Sequence, residues 1–296
     1  MITDIDVASF KADGFIFIRG FFSPVEVASL SAVSRSDPRA RTGHGRGGAR
    51  QEGRAAELWS IPIRNPDHPV NDQLAYDAMC YSRRVVQTFE RLLLDEERYP
   101  GDQVTIHHRK LIMKDRASYC PPAQDSTGQH AGNRFQWHQD YLYWGDHTRT
   151  GSDAYGGPGR PFSNIATCAL AIDRATRQNG CIQVLRGSHR FGQLPFDAEQ
   201  WGERHCLPSA VDKVMAEGCE VVYCELEPGD AVIFHSEILH QSFPNPTDDP
   251  RWAFLMAYET MRNVPNWGED WRQPAQAWDD DRVAIAAATH LSRLTG

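Results

Sequence analysis

Trp137-His138-Gln139-Asp140-Tyr141 is the stretch around which the rest of the chain reads as organised. Side chains two apart on a strand share a face, so His138 and Asp140 are expected to point the same way. An imidazole beside a carboxylate supplies two of the three ligands of a facial triad. That donor set holds non-haem Fe(II) and leaves positions open for chemistry. The same pair also occurs on ordinary structural strands, so the reading turns on whether a second histidine arrives from far along the chain.

Around this stretch the chain is a succession of short strands. Residues 103–114 place His108, Lys110, Ile112 and Lys114 on one face and His107, Arg109, Leu111 and Met113 on the other. Polar groups on both faces near the middle of a strand are unusual for a plain core. Further strands are expected over 164–172, 181–185, 220–226, 231–235 and 251–258. Turn signals separate them at Asn179-Gly180, Gly187-Ser188-His189, Pro228-Gly229-Asp230 and Asn245-Pro246. The pattern indicates an antiparallel barrel or jelly roll, mainly β, with helices flanking it on the N-terminal side.

That N-terminal side begins with a helix-like Asp6–Lys11, a turn at Asp13-Gly14 and a strand over 15–19. Ser23 reads as an N-cap and Pro24 as the first position of a helix reaching about Val33. Apolar residues at three- and four-residue steps predict one helix over 69–96, capped by Asn71 or Asp72. Residues 36–57 scatter Arg39, Arg41, Arg46, Arg50 and Arg54 among Gly and Ala. They read as a surface loop or as a positively charged lid over an anionic substrate. Residues 115–134 form a second loop, with a polar, partly helical insertion over 195–218. The tail, 261–296, carries Trp267, Trp271 and Trp278, with Asp279–Asp281 at the start of a short terminal helix. The organisation expected is a single domain, with a scaffold over 1–102, a core over 103–260 and the tail.

Bulk properties narrow the partners. The 296 residues suit one large domain or two modest ones. A net charge of -8 gives no general nucleic-acid footprint. No apolar run is long enough for a membrane span, and the acidic N-terminus shows no signal peptide. Seven cysteines without a CxxC pair read as free thiols of a reducing compartment, so the expected location is cytoplasmic. The expected partner is a small molecule.

His240 is the candidate third ligand. Ser242 sits two residues on, and Arg251 lies at the start of the next strand. An arginine entering a barrel interior needs an anion, and its planar fork suits a carboxylate. His240 with Arg251 therefore suggests a metal beside a bound carboxylic acid, although Arg251 alone also reads as a surface charge. His235 competes for the ligand role. Its spacing from His240 bars both from facing inward on one regular strand, and the Ser242/Arg251 context favours His240.

In order, 137–144, Asn179–Val184, Gly187–Arg190, Pro228-Gly229-Asp230, His240-Gln241-Ser242 and Arg251 resemble the phytanoyl-CoA dioxygenase family of Fe(II)/2-oxoglutarate oxygenases. The resemblance extends over about residues 5–260. It implies a double-stranded β-helix, a jelly roll of the cupin-like kind. It implies that His138, Asp140 and His240 hold the catalytic iron and that Arg251, helped by Ser242, grips the distal carboxylate of 2-oxoglutarate. The family often brings a polar side chain to the cosubstrate from the strand before the HxD motif, here His108 or Lys110. Thr167 is a further candidate, and O2 is the other cosubstrate. Asp140 favours hydroxylation, since halogenating relatives carry a small residue at this position.

Tyr141, Tyr143 and Trp144 are candidates to line the substrate pocket or to be plain core. Arg160 and His235 are weaker candidates for substrate contact. The resemblance leans towards hydroxylation of a small polar metabolite, such as an aminophosphonate or an ectoine-like compound, or of a natural-product intermediate. Succinate and CO2 would be the coproducts. Desaturation, epimerisation or cyclisation at the same site stays open, as does a non-catalytic cupin-like metal-binding module. A zinc hydrolase fits less well, because no glutamate beside the HxD motif offers a base.

Overall fold

Two antiparallel sheets face each other, built from strands that alternate between two cores. The computed structural model describes residues 2–36, 56–58, 73–116, 135–140, 165–198, 204–263 and 272–279. Its strands are β1 (Phe15–Ile18), β2 (Ala56–Leu58), β3 (Val104–Lys114), β4 (Phe135–His138), β5 (Ile165–Ala171) and β6 (Ile182–Leu185), then β7 (Phe196–Ala198), β8 (Arg204–Cys206), β9 (Val221–Tyr223), β10 (Ala231–His235), β11 (His240–Ser242) and β12 (Arg251–Thr260). The helices are α1 (Asp4–Asp13), α2 (Pro24–Ser36), α3 (Gln73–Tyr81), α4 (Arg83–Leu93) and α5 (Pro208–Ala216).

The larger sheet has the order β1-β10-β5-β12-β3-β2 and the smaller β4-β11-β6-β9. This is the double-stranded β-helix. The strand period of two divides its residues cleanly. On β5, β10 and β12, Ala169, Ala171, Val232, Phe234, Ala253 and Leu255 face the smaller sheet. The alternate residues, among them Leu170, Ile233, Phe254 and Tyr258, pack against the helices. Both faces of the larger sheet are therefore covered, and β5 is buried along its whole length. Tyr258 stacks on Phe89 of α4 with ring centroids 4.1 Å apart.

Thr167, Ala169 and Ala171 on β5, with Ala253 and Ala257 on β12, are all small. Leu255, between Ala253 and Ala257 on β12, is the bulky exception in this inner row.

The N-terminal expectations largely hold. Ser23 caps α2 through a reciprocal pair, in which its backbone N–H donates to Glu26 (2.7 Å) and the Glu26 N–H donates to the Ser23 hydroxyl (3.4 Å). β1 lies antiparallel beside β10, so this segment is part of the larger sheet.

Two expectations need correction. The single helix over 69–96 is two helices broken at Ser82. The tail inserts there, with the Trp278 N–H donating to the Tyr81 carbonyl (2.6 Å) and the Arg83 N–H donating to the Trp278 carbonyl (3.0 Å). The Trp278 ring stacks on Tyr81 at 5.6 Å. Helical periodicity continues across a break into which the distant tail inserts. The partly helical insertion over 195–218 has its helix in α5, preceded by the antiparallel pair β7 and β8. The strand over 220–226 is shortened to β9, with Leu226 bridging instead to Ala175.

Several turns fix the strands that carry the site. Gly180 has φ +77°, and a Cβ there would lie 2.3 Å from the Phe243 carbonyl oxygen, which favours glycine on both counts. The Ser188 hydroxyl accepts from the Leu239 N–H at 2.8 Å, immediately before His240. At the far end of β12, buried Glu259 meets His107 at 3.1 Å and Arg272 of the tail at 3.0 Å. Cys80, Cys168, Cys181, Cys206, Cys219 and Cys224 are buried and free. Among the described residues no helix is long and apolar enough to cross a membrane. Asn71, Asp72, Cys120, Trp267, Trp271, Asp280, Asp281 and the five arginines of 36–57 lie outside the described residues.

Candidate metal centre

The smaller sheet brings the two histidines together. His240 on β11 is the register partner of His138 on β4. Their rings lie 4.1 Å apart. Asp140 follows just beyond β4, and its Oδ1 is 3.6 Å from the His240 Nε2. One ligand atom from each of the three residues lies within 4.8 Å of the others. All three side chains are buried.

Hydrogen bonds orient the ligands. The His138 Nδ1 lies 2.6 Å from the Gln136 carbonyl and the His240 Nδ1 lies 3.1 Å from the Ile238 carbonyl. A ring nitrogen facing a carbonyl carries the proton, so in each case Nε2 is left as the lone-pair donor. Burial, with His240 as the second cause, pushes the His138 imidazole down to about 3, so it is neutral at ordinary pH. Burial also pushes the Asp140 carboxyl up, but His240, Lys110 and His138 together outweigh it and hold the group well below the usual carboxylate range. An ionised carboxylate with imidazole Nε2 donors fits a divalent first-row cation with open positions.

Gln139, between the ligands, points away from them and is fully buried. Its amide donates to the carbonyls of Gly192 (2.8 Å) and Glu237 (2.5 Å), and its oxygen accepts from the Leu194 N–H (2.9 Å). The backbone joining His138 to Asp140 is thereby fastened to the segment that precedes His240.

One inward step along β11 from His240 lies a cationic pocket. Arg251 starts β12 and is the register partner of Lys114 at the end of β3. Both are buried. The Lys114 Nζ donates to the Ser242 hydroxyl (2.7 Å) and to the Phe243 carbonyl (2.8 Å). The Arg251 Nε is buried with no hydrogen-bond partner among the described residues. Burial lowers the guanidinium to about 10, and Cys181 and Asp173 oppose that shift, so it remains protonated at neutral pH. A cavity of about 10 Å³, roughly the space of one water, opens beside it between Ala169, Ala171, Asp173 and Ala253. A buried guanidinium whose Nε–H meets no acceptor among the described residues suits an anionic partner.

The other sequence candidates fall into three groups. Lys110 and His108 face inward on β3 at successive steps above Ile112, and both interact electrostatically with Asp140. The burial of His108, reinforced by His107 and Lys110, lowers its imidazole well below the usual histidine value. Thr167 is also at the site, but its hydroxyl donates to the Asp140 Oδ2 at 2.8 Å. His235 is not brought to the triad. Its ring faces Phe10 (6.2 Å) and His189 (5.3 Å) on the opposite side of β10, and its Nδ1 accepts from the Glu237 N–H. Tyr141, Tyr143, Trp144 and Arg160 lie outside the described residues.

Lys114 was not among the site residues expected from sequence. Its alternation with Lys110 already placed it on the inner face. Its importance comes from the pairing of β3 with β12, which sets it opposite Arg251.

A double-stranded β-helix with a His-Asp-His triad on its smaller sheet and a buried arginine beside it defines the class of Fe(II)/2-oxoglutarate oxygenases. Residues 10–253 match the phytanoyl-CoA dioxygenase (PhyH) family, and the chain belongs to that family. Among curated relatives, it is 31% identical over 98 residues to a methylphosphonate hydroxylase of Gimesia maris, covering 33% of this chain and 34% of the relative. The chain thus spans about a third of the length of the first curated relatives it matches. Among solved structures, it resembles EctD from S. alaskensis with 2-oxoglutarate and 5-hydroxyectoine at a TM-score of 0.64 and 20% identity, over 94% of this chain and 88% of the other. The epimerase SnoN from nogalamycin biosynthesis shares the fold at a TM-score of 0.57 and 16% identity, over 94% and 96% of the two chains.

Proposed function

We propose that this protein hydroxylates an unactivated C–H of a small polar metabolite or natural-product intermediate, using Fe(II), 2-oxoglutarate and O2 and releasing succinate and CO2. The observation that carries the reading is the juxtaposition of two sites. The triad of His138, Asp140 and His240 stands one strand step from the buried cationic pocket of Arg251, Lys114 and Ser242.

His138 and His240 offer Nε2 and Asp140 offers an ionised oxygen to the iron. With 2-oxoglutarate, the bound iron supplies the oxidative chemistry that an amino-acid side chain cannot. The chain's own residues do the rest. Arg251 and Lys114 neutralise the distal carboxylate of the cosubstrate, and the Arg251 Nε, without an acceptor among the described residues, gains one. The Ser242 hydroxyl, already accepting from Lys114, has its own proton to donate. Lys110 and His108 face the space between that pocket and Asp140, where the keto-acid end of the cosubstrate would lie. Ile112, Phe234 and Leu255 give the inner wall an apolar lining that excludes water. A plain metal-binding module has no use for two buried cations beside its metal.

The substrate class is supported by the relatives' chemistry. The Gimesia maris protein is named for methylphosphonate, and EctD is seen with 5-hydroxyectoine. Both are small and polar. The fold shared with SnoN keeps epimerisation as the second reading.

A panel of small amino acids, aminophosphonates and polyketide acids, incubated with protein, Fe(II), 2-oxoglutarate and O2, tests the proposal. Succinate formation should rise with the true substrate, and the product should gain one oxygen atom. Asp140→Ala should release no substrate-dependent succinate. A product of unchanged mass with one inverted centre would replace hydroxylation by epimerisation. Neither succinate nor 2-oxoglutarate binding would reduce the protein to a metal-binding module.

A further inference from the structure

We propose that Thr167 is a positioning residue for the metal-binding carboxylate, tying one oxygen of Asp140 so that the other alone is presented to the metal. The inference rests on the metal-centre reading above and adds a residue that acts through Asp140 rather than on the metal.

Thr167 is 1% exposed and donates from Oγ1 to the Asp140 Oδ2 at 2.8 Å. The other oxygen, Oδ1, is the one that lies 3.6 Å from the His240 Nε2, on the side where the three donors converge. The two oxygens therefore have separate tasks. A carboxylate free to turn can offer both oxygens to one cation and occupy two positions. With Oδ2 held by a hydroxyl, Asp140 offers one, and three protein atoms leave the remaining positions of the facial set open.

The support for Thr167 is rigid. It lies within β5, with Phe234 of β10 on one side and Ala257 of β12 on the other. A β-branched side chain on a strand has restricted χ1 freedom, so the hydroxyl is held in place by the backbone. Its inward neighbours on β5, Ala169 and Ala171, carry no polar side-chain atom. Asp140, in contrast, sits past the end of β4, on backbone that the Gln139 side chain fastens rather than a strand ladder. A well-anchored hydroxyl from the larger sheet thus orients a ligand carried at the edge of the smaller one.

The test is anaerobic titration with Co(II), read by its visible absorption bands and by equilibrium dialysis, and needs no turnover. Loss of a hydrogen bond to a metal-bound carboxylate typically weakens metal affinity by about 10–100-fold. Thr167→Val, which keeps the shape and removes the donor, should bind Co(II) weaker by that factor and with altered bands. Thr167→Ser should restore both affinity and spectrum. Thr167→Ala, which adds no bulk beside the neighbouring alanines, gives the same decision if the valine variant folds poorly, as judged by circular dichroism. Wild-type affinity and an unchanged spectrum in a folded Thr167→Val or Thr167→Ala protein overturn this inference alone. Absence of Co(II) binding in the wild type, or undiminished binding by Asp140→Ala, overturns the metal centre and this inference with it.

Discussion

At Arg251, a buried guanidinium keeps one N–H without an acceptor among the described residues, while Lys114 beside it is already bonded to Ser242. The two cations are not equivalent. Lysine would keep the charge at position 251 but lose the planar fork that matches a carboxylate. A hydrogen bond to a charged group is worth about 1.5–3 kcal/mol, or roughly 10–150-fold in affinity. Arg251→Lys should therefore weaken 2-oxoglutarate binding by that order while leaving Co(II) binding to the triad intact. Calorimetric titration of 2-oxoglutarate reads the first and absorption the second. An affinity within twofold of wild type would remove Arg251 from the cosubstrate site. The residues of this site differ in how far sequence exposes them. His138 with Asp140, and His240 with Ser242 and Arg251, are legible because local spacing and order carry them. Lys114 and the Thr167–Asp140 hydrogen bond depend on which strand lies opposite which, and that register is absent from any local window.

At the scale of elements, turn chemistry was the legible part and long-range insertion was not. Pro228-Gly229-Asp230 marked a tight turn before β10. The structure adds what Asp230 does there: it accepts from the Gly20 N–H (2.8 Å), from Arg19 (2.7 Å) and from the Glu227 N–H (3.1 Å). It thereby joins the end of β1 to the start of β10. Conversely, the break between α3 and α4 could not be read from 69–96, because its cause, Trp278, is almost two hundred residues away. Asp230→Asn should cost about 1–2 kcal/mol, the low side for charged hydrogen bonds because Arg19 is largely exposed. Burial raises the Asp230 carboxyl, but the Gly20 amide, Arg19 and the Glu227 amide outweigh it and set it below its ordinary 3.8. A depressed carboxyl stabilises the fold above its unfolded value and loses that contribution as pH falls through the folded one. The gap in melting temperature between wild type and Asp230→Asn should thus be full at pH 6 and close on acidification below the ordinary value. A gap that widens in acid would contradict this account of the turn.

For the whole molecule, the triad matters because its members come from different places. His138 ends β4, His240 begins β11, and Asp140 is tied through Thr167 to β5 of the other sheet. A cation bound by all three joins the two sheets at one end of the barrel, and a dicarboxylate between Arg251 and that cation joins them again further in. Neither link exists in the unfolded chain. A ligand that binds only the native state stabilises it by about 2.7 kcal/mol at a hundredfold excess over Kd. For a chain of this size that corresponds to a rise of several degrees in melting temperature. Dialysis against a chelator should remove that increment, and Co(II) added anaerobically should restore it. 2-Oxoglutarate should add a second increment only when metal is present, because its keto-acid end has the cation as its partner. Asp140→Ala should lose both increments, whereas Arg251→Lys should keep the first and lose most of the second. Differential scanning calorimetry of these three proteins, with and without each ligand, separates the two links. Equal responses to 2-oxoglutarate with and without metal would mean that the cosubstrate binds without bridging to the triad, and the juxtaposition on which the proposed function rests would be undone.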